Sequence, residues 1–133
     1  MRDVILVPED RRANFLPSLF GPRHFILAEH TVYNFMGWLS PRDYSGGFWE
    51  FYELEGKPLY LVPTSKPHYR MACETNGYEG EVSANAAGII VTLFTLSHLS
   101  FKYDSNVFAE GYGRLYAFAS RHPEALEIFR AID

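Results

Sequence analysis

The sequence predicts a single α+β domain: an antiparallel meander of about four strands, packed with helices that precede and follow it. Three observations carry this expectation. Aromatic residues are densest between Tyr44 and Leu54, where the glycine pair Gly46-Gly47 leads into a strand-like run. Short apolar runs then alternate with turn signals as far as Val82. Helical periodicity flanks this region on both sides.

Residues 1–7 read as an edge strand or an arm, because Pro8 closes the β-branched run Val4–Val7. A helix start follows at Pro8, with acids in its first turn. Pro17, Gly21 and Pro22 then limit the next stretch to a turn of helix at most. From Glu29 to Leu39, Val32, Phe35, Met36 and Leu39 recur at helical spacing, and Ser40-Pro41 ends the element.

The aromatic run should place Trp49 and Phe51 on one face and Phe48, Tyr52 and Leu54 on the other. Both faces are then mostly apolar, which puts this strand in the middle of its sheet. Glu55 to Pro58 is expected to turn the chain into a second strand, Leu59–Val62. A third, Tyr69–Cys73, alternates inward and outward residues. Asn76-Gly77 gives a hairpin signal, and Tyr78–Val82 completes the meander. Ser83 is a good N-cap for a helix over Ala84–Leu99 that is apolar on nearly every side and so belongs in the core. Asp104 or Ser105 should cap another helix, with Phe108, Tyr112, Leu115 and Ala119 on one stripe. His122-Pro123-Glu124 restarts the chain, proline at the first helical position, into a last helix striped by Ala125, Ile128, Phe129 and Ile132.

A chain of 133 residues, 47% hydrophobic and 17% aromatic, suits one core. Cys73 is the only cysteine, so no intrachain disulfide or cysteine zinc cage can form, as suits a reducing cytoplasm. No segment looks long and apolar enough to span a membrane, and the first residues look too short for a secretory leader. A soluble, cytoplasmic protein is expected. The net charge is −4, from 16 acids and 12 bases. A duplex carries one charge per ~1.7 Å, so a mimic of ten base pairs needs about 20 clustered negative charges. That argues against wholesale DNA mimicry. Strong nucleic-acid binding is not expected either, although Arg11, Arg12, Lys66 and Arg70 are the bases that would carry it.

Catalytic signatures are missing. There is no serine elbow, and Gly111-Tyr112-Gly113 lacks the third glycine of a dinucleotide loop. The five histidines never fall at metal-binding spacing, and no cofactor is expected. Cys73 reads as a buried thiol beside Tyr69 and Met71. Glutamates supply the one alternative: a small hydrolase pairing carboxylates such as Glu53 with Glu55, or Glu79 with Glu81, in an aromatic cleft.

Five segments, in order, resemble the ArdB/KlcA-type antirestriction proteins. They are Phe15-Leu16-Pro17 with Phe20-Gly21; Tyr44 through Leu54; Pro63-Thr64-Ser65 before Tyr69-Arg70; Asn76 through Ala84 with Ala86-Ala87-Gly88-Ile89; and His122-Pro123-Glu124 through Asp133. The resemblance runs from about Arg11 to Asp133. It implies a non-enzymatic protein of plasmids and other mobile elements that inhibits or modulates type I restriction–modification, so that incoming DNA escapes cleavage. Its partner would be the restriction enzyme or an associated host protein. With mimicry disfavoured by charge, contact through a partly aromatic protein–protein patch is expected. Tyr44, Glu79, Glu81 and Asn85 are its candidate residues, because core packing does not obviously require them.

Overall fold

The computed structural model describes residues 3–133. Among the described residues, five strands in two sheets and four further α-helices accompany one long helix, in the order β1 (Ile5–Leu6), a 3-10 turn (Glu9–Arg11), α1 (Arg12–Phe20), α2 (Phe25–Leu39), β2 (Trp49–Leu54), β3 (Lys57–Pro63), β4 (His68–Cys73), β5 (Tyr78–Ser83), α3 (Ala84–Lys102), α4 (Asn106–Ala119) and α5 (Ala125–Ile132). The edge strand expected over residues 1–7 falls partly outside the described residues. Within them, Ile5–Leu6 pairs antiparallel with β2, and Val7 N–H extends the ladder to Phe51 O at 2.8 Å.

The strands are consecutive and antiparallel, as expected, but the meander divides into two sheets: β1-β2-β3 and β4-β5. Helix α3 is the reason. Leu61 N–H, on the outer edge of β3, donates to Thr92 Oγ1 at 3.3 Å. One turn earlier in α3, Gly88 lies against the Leu61 carbonyl, where a Cβ would overlap that oxygen. The helix therefore occupies the edge that β4 would otherwise extend, and it satisfies an edge donor as it does so. Pro63 and Pro67 bracket the crossing to the second sheet.

Glu55 and Gly56 both adopt positive φ, 52° and 79°, and form a two-residue hairpin turn rather than the expected four-residue one. Strand β2 is the middle strand of its sheet, with Trp49 and Phe51 buried. Its other face is only half-covered, and Phe48 precedes the strand, 60% exposed. Arg12 lies over the Phe48 ring at 4.6 Å and the Phe51 ring at 4.0 Å.

Helix α1 runs through Pro17, which the sequence treats as a breaker. Proline removes the bond to Ala13 O and costs ~3 kcal/mol inside a helix. Burial of Phe15, Leu16, Leu19 and Phe20 at about 1.5–3 kcal/mol each exceeds that. Helix α2 starts at Phe25, earlier than its periodicity shows. In α5, Pro123 lies ahead of the N-cap Glu124, not at the first helical position. Ser105 is the N-cap residue of α4, without a side-chain cap bond.

Helix α3 also corrects the membrane expectation. It is 19 residues long with mean hydropathy 1.4 in its most apolar window, enough to cross a bilayer by length and composition. Of that window, 61% is buried within the protein, so α3 is the central core helix. Ser83 caps it as expected, accepting from Ala86 N–H at 3.1 Å.

Candidate functional site

Where α2 ends, Ser40 to Tyr44 folds onto the outer edge of β4. Ser40 Oγ donates to Arg70 O at 2.7 Å, and Asp43 accepts from Arg70 N–H at 2.8 Å. The same carboxylate takes two bonds from the Arg70 guanidinium, at 3.0 and 2.8 Å, and one from Lys66 Nζ at 3.2 Å. These contacts blunt a strand edge that would otherwise be open. The Arg70 side chain is the main reason that the Asp43 carboxyl is held well below the usual carboxylate range; its backbone N–H and Lys66 add to the effect.

A depressed folded-state pKa stabilises the fold above the unfolded value, near 3.9, and that stability is lost as pH falls toward the folded value. Unfolding midpoints should accordingly drop steeply on acidification below about pH 4. Asp43→Asn is expected to lower the midpoint at neutral pH and to flatten this acid limb. Urea titrations at several pH values read both.

The loop and the strand enclose an open groove of about 470 Å³, lined by Leu39, Pro41, Arg42, Arg70, Met71, Ala72, Glu79 and Gly80. Its polar wall comes from the outward face of the β4–β5 hairpin, where Arg70 lies opposite Glu81 and Ala72 opposite Glu79. Glu79, Glu81 and Arg42 are exposed. Arg42 and Glu79 line a recess that also takes in apolar Leu39, Pro41 and Met71, and Glu81 stands beside it opposite Arg70.

Of the four candidate residues, Glu79 lines the groove, and Glu81 stands outside its lining on the same strand face, opposite Arg70. Tyr44 and Asn85 have internal roles. The Tyr44 hydroxyl accepts from Trp49 Nε1 at 3.1 Å, and the two rings meet edge to face at 5.7 Å. Asn85 Oδ1 takes bonds from Tyr60 OH at 3.1 Å and from His122 Nε2 at 2.9 Å. Burial, partly offset by that bond to Asn85, pushes the Tyr60 hydroxyl up to about 12. Arg42, Leu39 and Pro41 escaped the sequence reading. The signal for Arg42 is a charged residue directly after a helix-ending proline, which composition alone does not distinguish.

The bases that would carry DNA binding already have partners. Arg11 forms a two-pronged ion pair with Glu53, at 2.9 and 2.6 Å. Arg12 donates to Trp49 O at 3.0 Å, and Lys66 and Arg70 share Asp43. The Glu53–Glu55 pairing expected of a hydrolase does not occur on one strand face. Glu53 is buried against Arg11, whereas Glu55 sits in the hairpin turn. Among the described residues no cluster of three His, Cys, Asp or Glu could hold a metal ion. Cys73 is buried, with Sγ 3.2 Å from Thr75 Oγ1.

Residues 42–133 match the family described as antirestriction protein. Antirestriction protein KlcA of Escherichia coli is 41% identical, over 96% of this chain and 90% of that protein. The uncharacterised protein YafX of Escherichia coli K12 is 34% identical, over 96% of this chain and 85% of its own length. A solved structure superposes with TM-score 0.86 at 40% identity, over 98% of this chain and 94% of that one. It comes from work on KlcA and ArdB that describes a novel fold and antirestriction activity against type I DNA restriction systems in vivo but not in vitro. With this identity along nearly its whole length and the same fold, the chain belongs to the antirestriction protein family.

Proposed function

We propose that this protein relieves type I restriction by protein–protein contact, without catalysis and without imitating DNA, and that the groove beside β4 is part of the contacting surface. Family membership supports the activity. The observation that carries the mechanism is how the acids are used. Asp43 and Glu53 are buried in ion pairs, Glu127 accepts from Tyr78 OH, Glu124 accepts from Ser83, and Glu29 accepts from Tyr33 OH. Too few acids remain to imitate the roughly 20 phosphates of ten base pairs. The activity of the KlcA and ArdB proteins in vivo but not in vitro favours a cellular partner, either a host protein or the restriction enzyme in an assembly that purified components lack.

Plating of unmodified phage on a host with a type I system tests this reading, with a restriction-deficient host as control. Expression should raise plating on the restricting host alone. Charge reversal of the groove, Arg42→Glu with Glu79→Lys, should abolish the rise at unchanged soluble level, because these exposed side chains hold no hydrogen bond or ion pair among the described residues. Full activity in that variant would remove the groove from the mechanism.

A further inference from the structure

We infer that the free edge of β5 is a docking site for an extended, basic segment of a partner protein, which adds as a strand beside Glu79 and Glu81. The edge lies on the side of β5 away from β4, and its use does not require the groove to be a contact surface. Backbone geometry identifies it. Strands β4 and β5 pair antiparallel without a register shift, with Arg70 opposite Glu81 and Ala72 opposite Glu79. Arg70 turns both its backbone groups away from β5: its N–H donates to Asp43 and its C=O accepts from Ser40 Oγ. Directly opposed residues of an antiparallel ladder either exchange both bonds or both point outward. Glu81 therefore turns its N–H and C=O away from β4, and so does Glu79, two residues earlier. Ser83, two residues later, obeys the same rule, because its N–H donates to Glu124 Oε1 at 2.9 Å.

The Glu124 carboxylate closes this edge at its Ser83 end only. Among the described residues no hydrogen bond reaches the N–H or C=O of Glu79 or Glu81, and both residues are exposed. Helix α5 packs on the core side of the strand and leaves the edge open. Tyr78 and Val82 are buried on that side, and a Cβ on Gly80 would point the same way and meet Glu127 Oε1 at 2.9 Å. The opposite edge of the same sheet, by contrast, is blunted by Ser40 and Asp43. Unpaired N–H and C=O groups at alternate positions are a template for strand addition, in which main-chain bonds supply affinity and alternate side chains supply choice.

Charge selects the occupant. Glu79 and Glu81 alternate with buried Tyr78 and Val82, so both carboxylates stand on the outer face of the strand. Toward β4 neither finds an ion-pair partner. Ala72, opposite Glu79, carries no charge, and the Arg70 guanidinium, opposite Glu81, is bonded to Asp43. An incoming strand with Lys or Arg at alternate positions sets a base opposite each glutamate. A second copy is disfavoured, because the open edge groups belong to Glu79 and Glu81. Antiparallel pairing of β5 with its own copy would therefore set glutamate against glutamate.

The test uses the isotope-labelled full chain and two end-capped peptides of about nine residues, within ordinary strand length. One alternates Lys with Thr and Val, and the other has Glu in place of Lys. Binding is followed by the resonances and hydrogen exchange of the Glu79 and Glu81 backbone N–H groups. Those of Gly80 and Val82, which face β4, serve as internal references. In the free chain Glu79 and Glu81 should exchange fast and the two references slowly. The Lys peptide should protect Glu79 and Glu81 and bind about tenfold more tightly than the Glu peptide, and Glu81→Gln should weaken it by about threefold. N-methylation of its lysine amides, which keeps the charges and removes the donors facing β5, should abolish binding. Equal or tighter binding of the Glu peptide, binding insensitive to Glu81→Gln or to N-methylation, or no binding of either peptide would overturn the proposal. Protection of Glu79 and Glu81 in the dilute free chain would overturn it too, since the edge would already be closed. Protection that grows with protein concentration alone would make a second copy the occupant and overturn it likewise. None of these outcomes depends on phage plating, so failure here leaves the antirestriction reading standing.

Discussion

Gly88→Ala is expected to destabilise the protein by at least about 3 kcal/mol, near the upper end of single-residue overpacking effects. The added Cβ would overlap the Leu61 carbonyl oxygen and lie 2.9 Å from Val62 Cα. Both neighbours are backbone in a paired strand, so no flexible side chain can move aside. Relief requires α3 to shift away from β3, which breaks the Thr92–Leu61 bond and opens the core around Ile89 and Leu93. Gly113→Ala should do the opposite. Gly113 lies inside α4, and a Cβ there meets nothing within 4 Å. Removing helical glycine then stabilises by about 0.5–1 kcal/mol. Urea midpoints of the two variants should move in opposite directions from that of the parent chain. A tolerated Gly88→Ala would mean that α3 does not press on the edge of β3.

That contact also marks where the sequence stops being legible. Strand and helix types follow from local pattern: alternation identifies β4, all-round apolarity identifies α3, and Ser83 announces its cap. The division into two sheets does not follow, because it depends on α3 reaching across to β3, more than twenty residues earlier in the chain. Gly88 looks like an ordinary weak point in a helix until the facing backbone is known. Pro17 misleads for a related reason, since local propensity carries no information on the four buried side chains that hold α1 together. The candidate site was half legible. Glu79 and Glu81 are outward by alternation alone, whereas the roles of Tyr44 and Asn85 are set by Trp49, Tyr60 and His122. The open edge of β5 was not legible. Alternation tells which side chains face outward, but which backbone groups turn away from β4 is known only once Arg70 is seen bonded to Ser40 and Asp43.

Asn85→Ala should cost about 2–4 kcal/mol, because it leaves two groups without partners at about 1–3 kcal/mol for each unsatisfied buried polar group. One is the hydroxyl of fully buried Tyr60, and the other is His122 Nε2. Asn85 joins the start of α3 to the turn before α5. On the far side of that turn, His122 Nδ1 accepts from Glu124 N–H at 2.9 Å, and the Glu124 carboxylate accepts from Ser83 N–H and Oγ. With Nδ1 an acceptor, the proton of neutral His122 must sit on Nε2, facing Asn85. Burial lowers the His122 pKa from its ordinary 6.5, opposed in part by the charge of Glu124. The neutral form is thus the folded form. Its stabilisation is complete above the unfolded value, near 6.5, and is lost as pH falls toward the lower folded value. Protonation would add an N–H at Nδ1, pointing at the Glu124 N–H donor. Urea midpoints should therefore fall as pH drops below about 6.5 in the parent chain. The fall should be shallower in His122→Gln, which keeps a polar side chain without a titrating ring. Tyr60→Phe combined with Asn85→Ala should cost less than the sum of the single substitutions, because the pair removes both ends of one bond. Additive costs, or an acid limb unchanged in His122→Gln, would separate this network from the stability of the α3–α5 junction.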